Sequence, residues 1–294
     1  MVPPPAAEPG TPAEAARPEE PPAPAPEVAR PLLLAGTRDD ASATMVVVGE
    51  LTDGGIATAT PTSLASGATA GSEWILFADG VRVGRMTAVS VGPAENYCAS
   101  SLELSGIVEL VPSAAASERF LALPATLAGD VPHQARVVHE HDYDQRVASL
   151  TFAQDAIPRL GAAWPDGGVL PTRRDMEAFQ PEGTDSPTFV ASYVYRDAPT
   201  IGDPPPGAYA LLVLTARQGG QFRETFEWFQ AADSLGKGVP RYFGHLDWDR
   251  DGEGEILLDV FGAERRWHAV LEQSDGGWTR SFESACGIGT STAR

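Results

Sequence analysis

Positive charge is scarce in this chain: 21 Lys and Arg stand against 40 Asp and Glu, a formal net charge of −19. Such a surface repels phosphate backbones and anionic headgroups, so nucleic acid is not an expected partner. Long apolar runs are missing too. The run 31–34 falls far short of the ~18–20 residues that a spanning helix needs, and no membrane span is expected. Cysteine is limited to Cys98 and Cys286, enough for one disulfide in an oxidising compartment or for two buried thiols. Neither lies beside a basic cluster or a helix start, which argues against a catalytic thiolate. No HExxH pattern and no nucleophile elbow occurs, and no aromatic residue precedes Trp74.

That last absence falls on a segment dense in proline and alanine. Residues 1–30 hold too little apolar surface to offset their ordering entropy, and they read as a disordered tether. A Pro/Ala/Glu tether resembles the segment found after a cleaved signal peptide or lipoprotein anchor in bacterial envelope proteins. No basic n-region or apolar h-region is present, so either the numbering begins after processing or the protein is cytosolic.

Beyond the tether the signals are β. The run 45–48, the run 74–77, the stretch 102–111 and the stretch 119–123 have strand composition, and Asp79-Gly80 between two such runs is a hairpin signal. Short strands at fairly regular spacing predict a sandwich or barrel-like N-terminal domain over 31–165. The connections 57–72 and 112–117 read as surface loops. Within 145–160, Ala148, Leu150 and Phe152 alternate with polar residues and favour a strand. Asp142 with Gln145 three places on offers a helix cap instead, and Pro158 argues against a long helix.

The chain's histidine cluster lies just before that segment. His139 and His141 would share one face of a strand, with Glu140 and Asp142 on the other. Two histidines at that spacing can chelate zinc with carboxylates to orient them, the basis of a metal-dependent hydrolase as the alternative function. A third ligand at recognisable spacing is absent, and a solvated polar loop accounts for the same letters.

One stretch states a chemistry. Asp247, Asp249, Asp251 and Glu255 occupy positions 1, 3, 5 and 9 of a loop, and Gly252 stands at position 6, where a chain wrapping a cation turns sharply. A backbone carbonyl near Glu253 would complete a shell for Ca2+. Position 12 is Leu258 rather than a bidentate Glu, and the flanks are strand-like, so an EF-hand is excluded. A strand-loop-strand unit carrying this DxDxDGxxE pattern over about residues 244–284 resembles the calcium loops of FG-GAP/VCBS-type repeats of integrin-like propellers. The resemblance implies a β-meander unit that binds Ca2+ through Asp247, Asp249, Asp251, Glu253 and Glu255.

A degenerate copy precedes it, at about 177–229. The stretch 180–189 can be laid on 247–256, 188–194 on 255–261, and Gly219-Gly220 on Gly276-Gly277, once 197–206 is treated as an inserted loop. Gln180, Thr184 and Thr188 replace Asp247, Asp251 and Glu255, so this copy keeps one carboxylate at ligand spacing and would bind calcium poorly. Residues 166–288 therefore read as a C-terminal domain of two β-meander repeats, followed by a 289–294 tail.

The expected fold class is mainly β: an N-terminal sandwich or barrel-like domain plus a C-terminal pair of FG-GAP-like meander units. The expected function is non-catalytic, a calcium-binding β protein in an adhesion, scaffolding or binding role. Its address would be extracytoplasmic (periplasmic, cell-surface or secreted), its form a monomer, and its partner a protein or carbohydrate ligand.

Overall fold

The computed structural model describes residues 28–97, 101–135 and 137–284. Residues 1–27 of the expected 1–30 tether, the Cys98 to Cys286 disulfide and the 289–294 tail lie outside those residues.

The protein is mainly β. Strands β1 (Leu32–Asp39), β2 (Ser42–Thr52), β3 (Gly55–Ala57), β4 (Glu73–Ala78), β5 (Val81–Pro93), β6 (Leu102–Leu110) and β7 (Arg119–Pro124) form one antiparallel sheet. Its order is β1-β7-β4-β5-β6-β2-β3, and the pairing of β1 with β2 closes it into a barrel, leaving β3 as an extension. Closure removes the free edges that an open sheet would present. The β4–β5 connection is the expected two-residue turn. Asp79 and Gly80 both take positive φ (50° and 76°), the twist that matches antiparallel strands. Two short helices decorate the barrel, α1 (Pro61–Gly67) and α2 (Ala125–Ala128). The first falls in a stretch read as loop, where Thr60 caps it and Pro61 opens it.

Residues 173–283 form two four-stranded antiparallel meanders. One runs β8 (Arg173–Phe179), β9 (Thr188–Tyr195), β10 (Tyr209–Gln218) and β11 (Gln221–Ala231). The other runs β12 (Val239–Leu246), β13 (Glu255–Phe261), β14 (Arg266–Ser274) and β15 (Gly277–Glu283). Each acidic or degenerate loop joins the first two strands of its meander; the last turn is Gly219-Gly220 in the first, but Asp275-Gly276 in the second, where Gly277 already pairs with Ser274 in the ladder. The 197–206 segment lies in the long β9–β10 connection, whereas β13 and β14 are joined tightly.

Side-chain alternation sets the layering. Trp74 and Leu76 point into the barrel with Leu34, Met45, Met86 and Leu104. Their neighbours Ile75 and Phe77 point outward, and with Leu121 and Leu123 they pack on Phe243, Leu257 and Val270 of the β12–β15 sheet. That sheet's other face, through Ile256, Leu258 and Leu271, meets Leu212, Leu214 and Trp228 of the β8–β11 sheet. A sheet buried on both faces needs apolar residues at consecutive positions, and all of β9 and β13 is buried.

The outermost layer departs from the strand expected over 145–160. Residues Tyr143–Arg159 form a helix, α3, started by a capping box between Asp142 and Gln145. Pro158 sits in its last turn, where it forgoes a single backbone hydrogen bond. The buried positions are Gln145, Ser149, Ala153, Ala156 and Ile157, a helical period of mostly small residues. Leu150 and Phe152, which carried the alternation, are only partly buried. Small side chains bring α3 close to β9 and β10, and the Ser149 hydroxyl lies 2.9 Å from that of Tyr193.

Candidate metal centre

The last pair in the β12–β13 ladder is Leu246 with Glu255, so residues 247–254 form the connecting loop. Its backbone bends around its own carboxylates. The Gly252 N–H donates to Asp247 Oδ2 at 3.1 Å, the Asp251 N–H to Asp249 Oδ1 at 3.3 Å, and the Glu253 N–H to Asp251 Oδ1 at 2.8 Å. Gly252 has φ +94°, a conformation that favours glycine, and Arg250 is left-handed too. These turns leave ligand oxygens of Asp247, Asp249 and Glu255 within 4.8 Å of one another. Oxygens around a calcium ion at 2.3–2.6 Å are at most about 5 Å apart, so this spacing fits one shell.

Three of the five sequence-read residues are thus brought together. The Asp251 and Glu253 side chains are exposed and outside the group, the Asp251 carboxylate being engaged by the Glu253 N–H; the ligand read at 253 is its backbone carbonyl.

Asp249 is exposed and Asp247 half-buried, and the burial of Glu255 is what separates the group from a solvated acidic turn. Glu255 is only 4% exposed, and Trp248, itself in the core between sheet and barrel, donates its backbone N–H to Glu255 Oε2 at 3.2 Å. Burial, with Asp249, Asp247 and Asp251 adding repulsion, pushes the Glu255 carboxyl up to about 9. Partial desolvation at the loop, with repulsion from Asp251 and Asp247, also raises the exposed Asp249. Asp247 Oδ1 is buried with no hydrogen-bond partner among the described residues. No ion pair among those residues neutralises these carboxylates; Arg250 turns away, donating to the Leu127 carbonyl at 2.5 Å.

Glu182, the one carboxylate the sequence leaves at ligand spacing in the degenerate loop, lies against the acidic loop, which sequence reasoning did not foresee. Its carbonyl accepts from the Gly254 N–H at 3.0 Å and from Gln273 Nε2 at 2.6 Å, so the two loops are stitched together. Glu182 Oε2 is buried without a partner, and burial together with Asp247 raises the Glu182 carboxyl. The alignment of the two copies sets Glu182 opposite Asp249, which was the available signal; nothing local revealed that the loops meet.

The histidine cluster is arranged differently. His139 forms an isolated antiparallel bridge with Ala178, and the His141 ring stacks on Phe189 with centroids 5.8 Å apart. Neither enters a group of three metal-ligating side chains among the described residues. The buried histidine nearest the acidic loop is His245, whose Nδ1 lies 2.7 Å from the Tyr242 hydroxyl; burial drops its pKa to about 4, so it is neutral.

Comparison of the chain with protein-family models, with curated proteins and with solved structures gave no match. Among the described residues no helix is long and apolar enough to cross a membrane.

Proposed function

We propose that this is a non-catalytic β protein of the extracytoplasmic space whose 247–255 loop binds one Ca2+, and that it serves a binding, adhesion or scaffolding role as a monomer. The observation that carries the reading is the convergence of Asp247, Asp249 and Glu255 oxygens within 4.8 Å, with Glu255 buried. All donors are oxygen, which suits a hard cation, and calcium accepts the irregular shell of carboxylates, carbonyl and water that such a loop offers. The two consecutive four-stranded meanders are in keeping with the FG-GAP-like resemblance, with the second unit keeping the ligands and the first having lost all but one of them. A protein or carbohydrate ligand is the partner this role implies.

Calcium held by the folded state alone stabilises it by about 2.7 kcal/mol at ~100-fold excess over its dissociation constant. Thermal unfolding of the full chain is therefore expected to rise in temperature with calcium and fall with chelator. Asp249→Ala removes a charge and a ligand and abolishes the response. Glu255→Gln keeps the Trp248 N–H bond through its amide oxygen and also abolishes it. Identical melting curves of the native protein with calcium and with chelator would sink the reading.

A further inference from the structure

Past the acidic loop, β12 runs along the barrel and, with Phe243, Gly244 and His245, forms one wall of a cleft of about 210 Å³. The end of β4, the Asp79 turn and the start of β7 form the other wall. That space equals about seven waters at ~30 Å³ each and is below the ~300–1,000 Å³ of pockets for drug-sized molecules, so its occupant is small.

The lining chemistry narrows the occupant further. Ser117 is 5% exposed and its Oγ has no hydrogen-bond partner among the described residues. A hydroxyl buried in this way costs stability until something bonds it. Arg119 is the cleft's cation, but it is committed, donating to the Tyr242 carbonyl at 3.0 Å and to the Glu177 carboxylate at 2.5 Å. An anion would therefore meet Asp79 and Glu118 with no uncommitted positive charge to receive it. An ammonium group would need a counter-charge, but Asp79 already has an interaction within the protein and Glu118 is exposed to water, whereas a neutral hydroxyl needs only a lone pair of either carboxylate. What remains is the Ser117 hydroxyl and the His245 imidazole beside the carboxylate acceptors, at the edges of Phe243 and Phe77. A donor-rich, uncharged molecule with a C–H face matches that combination.

We infer that this cleft binds a small, neutral, polyhydroxylated molecule of monosaccharide size, with the Ser117 hydroxyl bonded to one of its hydroxyls. The inference deepens the binding role proposed above and rests on it, not on the ion.

The test titrates the full chain with glucose, galactose and mannose in turn, followed by amide chemical shifts, with ethylammonium and acetate as competing chemistries. At least one sugar is expected to saturate and to shift the Ser117 and Gly244 amides. Ser117→Ala should weaken binding about fivefold, the loss of one hydrogen bond, while leaving the melting temperature unchanged or higher because an unsatisfied hydroxyl is gone. Gly244→Val should abolish binding by filling the cleft; a Cβ there meets only Leu121 carbons at 3.6 and 3.7 Å, an ordinary contact. No saturating sugar, binding of ethylammonium or acetate at these amides in its place, or an unchanged affinity in Ser117→Ala each overturns the inference. Repeating the titration in chelator separates the two readings. Sugar binding without any calcium response overturns the ion alone, and a calcium response without sugar binding overturns the cleft alone.

Discussion

His268, on β14, is 1% exposed, and its Nε2 has no partner among the described residues. Its ring stacks on Tyr97 at 5.0 Å, beside the Arg266–Asp259 ion pair. Burial is the largest influence and pulls its pKa from 6.5 to about 4; Asp259 opposes this and Arg266 adds to it. A histidine whose folded pKa is depressed takes up its proton more readily when unfolded. The stability it contributes is complete above pH 6.5 and is lost as pH falls toward 4, by about 1.4 kcal/mol per unit for one proton. His245, with its pKa near 4 for the same cause, adds a slope of the same sign. Urea unfolding of His268→Phe between pH 6.5 and 4 is therefore expected to show a shallower loss of stability than the native chain. Equal slopes would mean that His268 takes up its proton as readily in the fold as in the unfolded chain.

At the level of elements, the β9–β10 connection shows how one side chain holds a long loop. Lys237 is the only lysine of the chain, and it is buried, with its Nζ 2.8 Å from Asp197 Oδ1 in that connection. Asp197→Ala leaves this ammonium without its partner and is expected to cost about 3–5 kcal/mol in urea unfolding, as for other broken buried pairs. Replacing both residues together with Asp197→Ala and Lys237→Met should recover most of that loss. A single variant within 0.5 kcal/mol of the native chain, roughly the scale of a surface change, would show that the pair is hydrated. The strands themselves were legible because β9 and β13 are mostly apolar, broken by Thr188 and Ser192 in one and by Glu255 and Asp259 in the other, and because Asp79-Gly80 and Gly219-Gly220 mark turns. Helix α3 was not, since Ala148, Leu150 and Phe152 mimic a strand while the face that packs is made of Ser149, Ala153 and Ala156, residues with little apolar signal. Of the metal centre, Asp247, Asp249 and Glu255 could be read from their spacing. The burial of Glu255 and the approach of Glu182 follow from sheets packing face to face, a non-local fact that no window of sequence carries.

At the scale of the whole molecule, barrel, two sheets and helix form successive layers, and each inner layer is apolar on both faces. The contact between barrel and β12–β15 sheet is not a wet seam. Leu257 and Val270 are fully buried there against Leu33, Ile75, Phe77 and Leu121 of the barrel wall, and Trp248 of the acidic loop closes one end. Separating barrel from sheets would expose these side chains on both, at about 1.5–3 kcal/mol for each large one, before any layer had gained the entropy of unfolding. The layers are therefore expected to unfold together. Calorimetry of the full chain should give a single transition with calorimetric and van't Hoff enthalpies in agreement, although chains of this length commonly unfold in parts. Leu257→Ala, which opens a cavity in the shared layer, should lower the stability of that one transition by about 2–5 kcal/mol. Two resolved transitions, with Leu257→Ala moving only one of them, would show instead that barrel and meanders are stable apart and that the shared layer is a docking surface between independent units.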